Sequence, residues 1–306
     1  MQETLRIISL LPSATEMVCL LGLSDYLVGV SHSCDFPVQV DRLPNLTRTS
    51  ITDDLTSAQV DSLVREKAAS GQGLYSIDEE QFFALEPSLV ITQGLCDVCA
   101  VSEGDVRHLV GKLQNDSTML TLNPMRLQEV LEGVQAIGEA AGIQDVANLE
   151  TEKLQRRIEN VQERASRLLS RKKVLFLEWL DPLFTAGHWN PELIELAGGE
   201  SLLARSGEVS KCVEWADVSE CNPDIVIAAS CGHSVERVES DLKTILQREE
   251  LRHFRNAGLP IWAIDGSQFF NRPGPRLVDS LEILAHINDP VLHPQPVAFD
   301  RFARPL

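Results

Sequence analysis

Cys96 and Cys99, in the stretch "VITQGLCDVCAVS", follow a short apolar run that reads as a buried strand. A Cys-x-x-Cys pair in that place has three chemistries open to it: a metal clip, a redox dithiol, or part of the wall of a pocket for a larger ligand. His32 and Cys34, in "SHSCDFP", follow another such run and strengthen the metal reading. Thiolates and imidazoles are the ligands that zinc or iron takes, and Cys34, Cys96 and Cys99 with His32 supply the four that a structural zinc wants. The redox reading needs the pair at a helix N-terminus after the first strand of a small domain. Here it follows a later strand, which counts against it.

Ligands of open α/β sheets sit beyond the carboxyl ends of the strands, so the residues after each apolar run are the candidates. The first run is followed by Pro12, Ser13 and Thr15. In the second half, "FLEWLDPLFTAGHW" offers Glu178, Trp179, Asp181, His188 and Trp189, "AASCGH" adds Cys231 and His233, and "DGSQFFNRPGPR" adds Phe269, Phe270, Asn271 and Arg272. Thiols, imidazoles and aromatic rings thus converge on strand ends from both halves. Each has a plainer reading. Cysteine is among the most buried residue types, so Cys19 belongs to the core, and Cys212 and Cys221 have no ligand-like neighbours. Trp189, Phe269 and Phe270 are equally at home in a core. A charged head within an aromatic loop, as at Arg272, faces a ligand or an acid. No Gly-x-Ser-x-Gly elbow, phosphate-binding Walker loop or His-Glu-x-x-His is present, and the Cys, His and Asp spacing is not specific for a thiol nucleophile.

The elements that must position these residues are α/β in pattern. "RIISLL" (6–11), "YLVGVS" (26–31), "SLVIT" (88–92) and "TMLTL" (118–122) are strands buried on both faces, as in a parallel sheet, and "KVLFLEW" (173–179), "DIVIAAS" (224–230) and "PIWAID" (260–265) repeat the scheme. "SATEMVCLLGL" reads as a helix capped by Ser13, with Glu16 completing a capping box and Gly22 ending it. "SIDEEQFFALEPSLVITQG" and "VEWADVSECNPDIVIAASCG" share one layout of acidic helix, x-Pro and strand, the mark of a duplicated lobe. Between the halves, Leu154, Ile158, Val161, Ala165 and Leu168 make one apolar stripe, with no Pro or Gly from Gln144 to Lys173. A helix of that span would run about 40 Å. The expected fold is two Rossmann-like lobes with parallel sheets, residues 1–143 and 174–306, bridged by one long helix over 144–173.

Composition narrows the function classes. A chain of 306 residues with 43% hydrophobic and 24% charged residues has ample material for packed cores. A net charge of −18 argues against nucleic acid, whose phosphates call for clustered Lys and Arg. The opening "MQETLRIISLLPSATEM" lacks the basic and apolar regions of a secretory signal, and its apolar run breaks at Pro12, so membrane insertion is not expected. Seven cysteines, an odd number, do not suggest a disulfide scaffold. These features point to a cytoplasmic setting, with a processed periplasmic form as the alternative.

"RIISLLPSATEMVCLLGLSDYLVGVSHSCDFP", "ALEPSLVITQG", "FLEWLDPLFTAGHWNPELIELAGGESLL", "NPDIVIAAS" and "RPGPRLVDSLEILA" resemble, in order, the cobalamin- and siderophore-type substrate-binding proteins of ABC importers. The cobalamin-binding branch is the nearest subgroup, through Cys34–Pro37 and Leu95–Cys99. The resemblance implies ligand in a cleft between two lobes. It also implies that a surface Glu on each lobe docks on a permease: Glu80 holds the first position, while the second falls at Ala216, so permease docking is in question. The aromatic residues that flank the corrin in that branch fall near Leu74 and Ser210, with Tyr75 placed to substitute for the first and Trp189, Phe269 and Phe270 for another apolar wall.

The first functional expectation is therefore a non-catalytic binding protein for a small molecule, a corrinoid such as cobalamin. Its contacts are expected from Ser13, His32, Cys34, Tyr75, Cys96, Cys99, Glu178, Trp179, His188, Trp189, Cys231, Phe269, Phe270 and Arg272, with His32 or a cysteine approaching the metal or its axial ligand. The alternatives are a zinc or iron protein using Cys34, Cys96 and Cys99, and an enzyme that processes a corrinoid through a thiolate.

Overall fold

Continuous apolar runs form the middles of two sheets, each within its own unit. The computed structural model describes residues 5–52, 54–70, 73–94 and 101–306. It divides into one unit that ends at Pro124 and resumes over Gln128–Lys153, and a second formed by Met125–Leu127 and Leu154–Leu306.

In the first unit the chain runs β1 (Ile7–Ser9), α1 (Pro12–Leu20), β2 (Leu27–Val30), β3 (Thr47–Thr49), α2 (Ser57–Ser70), β4 (Tyr75–Ile77), α3 (Glu79–Ala84), β5 (Leu89–Gln93), α4 (Glu103–Val110), β6 (Thr118–Leu122) and α5 (Leu127–Ala140). Strands β2, β1, β5 and β6 form a parallel sheet in that order. Ile7, Ile8, Val90 and Ile91 at its centre are fully buried, and each such side chain contributes about 1.5–3 kcal/mol. Strands β3 and β4 pair antiparallel as a separate ribbon that strand patterning alone does not reveal. Helix α1 differs from expectation at its start. Pro12 takes the first helical position, Leu11 is the cap with extended φ of −149°, and no side chain caps the end, so Ser13 lies inside the helix. Proline's fixed φ and missing N–H suit the first turn better than any interior site. Gly22, at φ +73°, ends the segment as expected.

Helix α6 (Gln144–Ala165) carries the chain onward. At 22 residues it spans about 33 Å and stops short of the expected Lys173. Its last turn tightens through i to i+3 bonds, Arg167 N–H to Arg164 O and Leu168 N–H to Ala165 O. Leu168 then packs on Gly198, whose missing Cβ leaves room for it.

The second unit contains β7 (Lys172–Leu180), β8 (Leu183–Thr185), α7 (Asn190–Leu196), β9 (Gly199–Ser201), β10 (Lys211–Cys212), α8 (Trp215–Glu220), β11 (Ile225–Ala228), α9 (Val235–Ile245), α10 (Arg252–Ala257), β12 (Ile261–Ile264), α11 (Leu277–Asn288), α12 (Phe299–Phe302) and β13 (Ala303–Pro305). Its sheet is mixed. The order is β10-β8-β7-β11-β12-β13, with β9 also on β7. The β9, β7, β11 and β12 pairings are parallel, and β8, β10 and β13 run antiparallel at the flanks. Leu175, Leu177, Val226, Ala228, Val238, Phe254 and Ala263 fill the core on one side. No helix among the described residues is long and apolar enough to cross a membrane.

Candidate binding surfaces at the strand ends

In the first unit, the carboxyl ends of β1 and β2 carry two short chains of hydrogen-bonded side chains. The first runs through Cys34. Ser9 Oγ donates to Leu11 O at 3.1 Å, Thr15 Oγ1 donates to Ser9 Oγ at 2.8 Å, and Cys34 Sγ lies 3.1 Å from Thr15 Oγ1. With both hydroxyl protons used downstream, the Cys34 S–H is the donor to Thr15. Cys34 is buried.

The second chain holds His32. Thr47 Oγ1 accepts the His32 backbone N–H at 3.0 Å, lies 2.7 Å from the ring Nδ1, and donates to Ser31 Oγ at 3.2 Å. Tyr75 stacks beside the imidazole, with ring centroids 5.7 Å apart and planes 29° from parallel. Thr47 lies on β3 and Tyr75 on β4, so the ribbon braces His32 from both strands. Burial pushes the His32 imidazole below its ordinary pKa, which leaves it neutral near pH 7. Ser13 is buried in α1. Glu80 is exposed in the first turn of α3, whose N-terminus is capped by Asp78 accepting the Gln81 N–H at 3.0 Å. Cys96 and Cys99 lie outside the described residues. Among the described residues, no group of three or more His, Cys, Asp or Glu is placed to hold a metal ion.

In the second unit, Glu178 and Trp179 lie near the carboxyl end of β7. Trp179 Nε1 donates to Asp181 O at 3.1 Å, and its ring packs on His233, centroids 5.0 Å apart. His233 Nδ1 is buried without a hydrogen-bond partner among the described residues and lies 3.6 Å from Asp241 Oδ2. Burial first, and then Arg237, lower the His233 pKa, against the opposing pull of Asp241. Cys231 is exposed, its backbone N–H donating to Glu178 O at 3.2 Å. His188 holds a left-handed φ of 55° and donates its backbone N–H to Glu208 O at 2.6 Å. A Cβ on the preceding Gly187 would lie 2.5 Å from Ser210 N, so only glycine permits this approach. Burial lowers the His188 pKa as well.

Three rings expected at a ligand wall are interior instead. Trp189 is 4% exposed and donates Nε1–H to Phe270 O at 2.6 Å; Phe270 is 0% exposed and packs edge-on against Phe176; Phe269 packs against Phe302. Arg272 reaches Ser267 Oγ at 3.4 Å; burial raises the pKa of the nearby Asp265 carboxyl, against hydrogen bonds from Gln268 and Ser267 and, least, the Arg272 charge. Thr47, which fixes His32, carries no sequence signal: it belongs to a strand too short to show periodicity.

Comparison with known proteins supplies what the geometry does not. Residues 7–257 match the profile of a family described as periplasmic binding protein. The vitamin B12-binding protein of Vibrio cholerae is 24% identical over 286 residues, covering 90% of this chain and 86% of that protein. Its counterpart in Yersinia pestis is 24% identical over 281 residues, covering 90% and 84%. Among solved structures, the periplasmic vitamin B12-binding protein of V. cholerae superposes with a TM-score of 0.66 at 22% identity, covering 94% of this chain and 97% of that one. The periplasmic heme-binding protein of Roseiflexus sp. RS-1 superposes with a TM-score of 0.69 at 22% identity, covering 95% and 100%. At these identities the solved structures establish the fold.

Proposed function

This chain belongs to the periplasmic binding protein family, and on that premise we propose that the small molecule it binds is a corrinoid of the cobalamin type. The family is one of binding proteins, so the chain acts by binding and not as an enzyme, and a thiol-dependent processing role has no support in it. The observation that carries the corrinoid reading is similarity along 90% of the chain to proteins described as binding vitamin B12.

The strand-end geometry accords with that reading. In the first unit the proposed contacts are Ser13, His32 and Tyr75, with Cys34 supporting α1 through Thr15. In the second they are Glu178, Trp179, His188, Cys231 and Arg272. For the compartment, the solved relatives described as periplasmic favour the periplasmic alternative over a cytoplasmic setting. Glu80 is exposed and available for a permease contact, whereas Ala216, at the same place in α8, offers no charge. Docking through that pair is accordingly weaker than with two acids.

The test is parallel titration of the protein with aquocobalamin and hemin, read by quenching of tryptophan fluorescence. Saturable quenching by aquocobalamin, with weaker quenching by hemin, is expected. Saturation by hemin alone would assign a heme-type ligand and overturn the corrinoid reading.

A further inference from the structure

We propose that His32 coordinates the metal of the bound corrinoid, its Nε2 taking an axial position on cobalt. This rests on the corrinoid reading above and adds to it a named atom and a tautomer. The argument begins at Thr47, whose single hydroxyl proton goes to Ser31 Oγ at 3.2 Å. Its remaining capacity is as acceptor, and it already receives the His32 backbone N–H at 3.0 Å. The 2.7 Å contact with the imidazole is therefore Nδ1–H donating to Thr47 Oγ1. That fixes the proton on Nδ1 and leaves Nε2 as the ring's bare lone pair, the state in which a histidine ligates a metal.

Position agrees with tautomer. Nδ1 is turned onto Thr47, so Nε2 points away from it. No described residue bonds Nε2, and it is not among the buried polar atoms left without a partner. His32 follows β2 at the carboxyl end of a parallel sheet, where ligands of such sheets sit. Thr47 on one strand of the β3–β4 ribbon and Tyr75 on the other hold the ring plane, which is how a metal-binding histidine is oriented from behind. Burial keeps the ring neutral, in support of the same state.

The step is a ligand exchange. On a cobalt(III) corrinoid carrying water, the Co–O bond breaks, the Co–N bond to Nε2 forms, and water leaves intact. No electron is transferred, and the Nδ1 proton stays on Thr47's side of the ring.

The test uses the full-length protein, made with 15N-labelled histidine and loaded with cob(II)inamide, a corrinoid that has no base of its own. Electron paramagnetic resonance then reports the axial nitrogen. The expected result is a doublet superhyperfine splitting in the labelled protein and a triplet in the unlabelled one. His32→Ala, loaded with excess cob(II)inamide, should give a spectrum without the splitting. Thr47→Val should weaken the splitting, and Thr47→Ser should restore it; a role for His32 in packing alone would give none of these changes. Retained cobinamide with no nitrogen splitting, or splitting that survives His32→Ala, overturns this proposal and leaves the corrinoid reading standing. Failure of the unmodified protein to retain any corrinoid overturns both.

Discussion

Glu86 and Asn222 occupy the same place in the two halves of the chain, and each turns the backbone through a left-handed φ, 42° and 46° respectively. Each lies two residues past the end of a six-residue helix, α3 or α8, that is capped by a carboxylate, Asp78 or Glu214. Each is followed by proline and then by the central strand β5 or β11, which runs between parallel neighbours. The repeated layout of acidic helix, x-Pro and strand thus corresponds to a repeated backbone.

The left-handed region disfavours Glu more than Asn. Glu86→Asn should therefore raise stability by about 0.5 kcal/mol, and Asn222→Glu should lower it by a similar or larger amount. Urea midpoints of the two variants read this directly. Shifts in the same direction would mean that the two turns are not equivalent.

Trp189 belongs to the core of the second unit, so its indole is a stability group. Trp189→Phe keeps a ring but leaves the Phe270 carbonyl, now bonded at 2.6 Å, without its donor. A loss of about 1–3 kcal/mol is expected, together with unchanged corrinoid affinity. Thermal denaturation and a binding titration on one preparation separate the two effects. Weaker binding at unchanged stability would return Trp189 to the ligand wall.

Arg157 on α6 grips α11 through Glu282, at 2.9 and 2.8 Å, and through Asp279. The three side chains are each about a third exposed, so solvent screens the cluster. Arg157→Met should cost about 1 kcal/mol at low salt and less at high salt. A loss independent of salt would locate the effect in packing of the arginine stem.

His32, His188 and His233 are all held below the ordinary histidine pKa by burial, with Arg237 adding to the effect at His233. Below about pH 6.5 the unfolded chain takes up protons on these rings that the folded chain refuses. Their contribution is fully present above that pH and is lost progressively as pH falls toward the lower, folded-state pKa values. The urea midpoint should fall from about pH 6.5 downward, and replacing His233 by Gln should flatten the slope. An unchanged slope in that variant would show that His233 is not a source of the acid sensitivity.

Much of the fold was legible because its central strands are buried on both faces and read as unbroken apolar runs: "TMLTL" is β6 to the residue. The ribbon of β3 and β4 was not, because two three-residue strands whose partners lie 26 to 30 residues apart leave no periodicity to detect. That gap hid Thr47 and with it the orientation of His32. The flanking strands β8, β10 and β13 escaped notice for the same reason of length. The burial of Trp189, Phe269 and Phe270 was not legible, because composition cannot tell a ring facing a ligand from one facing its own core. The deciding partner of Trp189 is a carbonyl 81 residues away. The end of α6 carries no Gly or Pro signal, and Leu168, three residues past it, packs on Gly198.

The central claim, that the ligand is a corrinoid, is tested most directly by mixing the protein with excess aquocobalamin without added thiol, desalting, and recording the visible spectrum of the protein peak. The account predicts corrin bands eluting with protein at close to equal stoichiometry, with band positions displaced from those of the free compound. A colourless protein peak would contradict it.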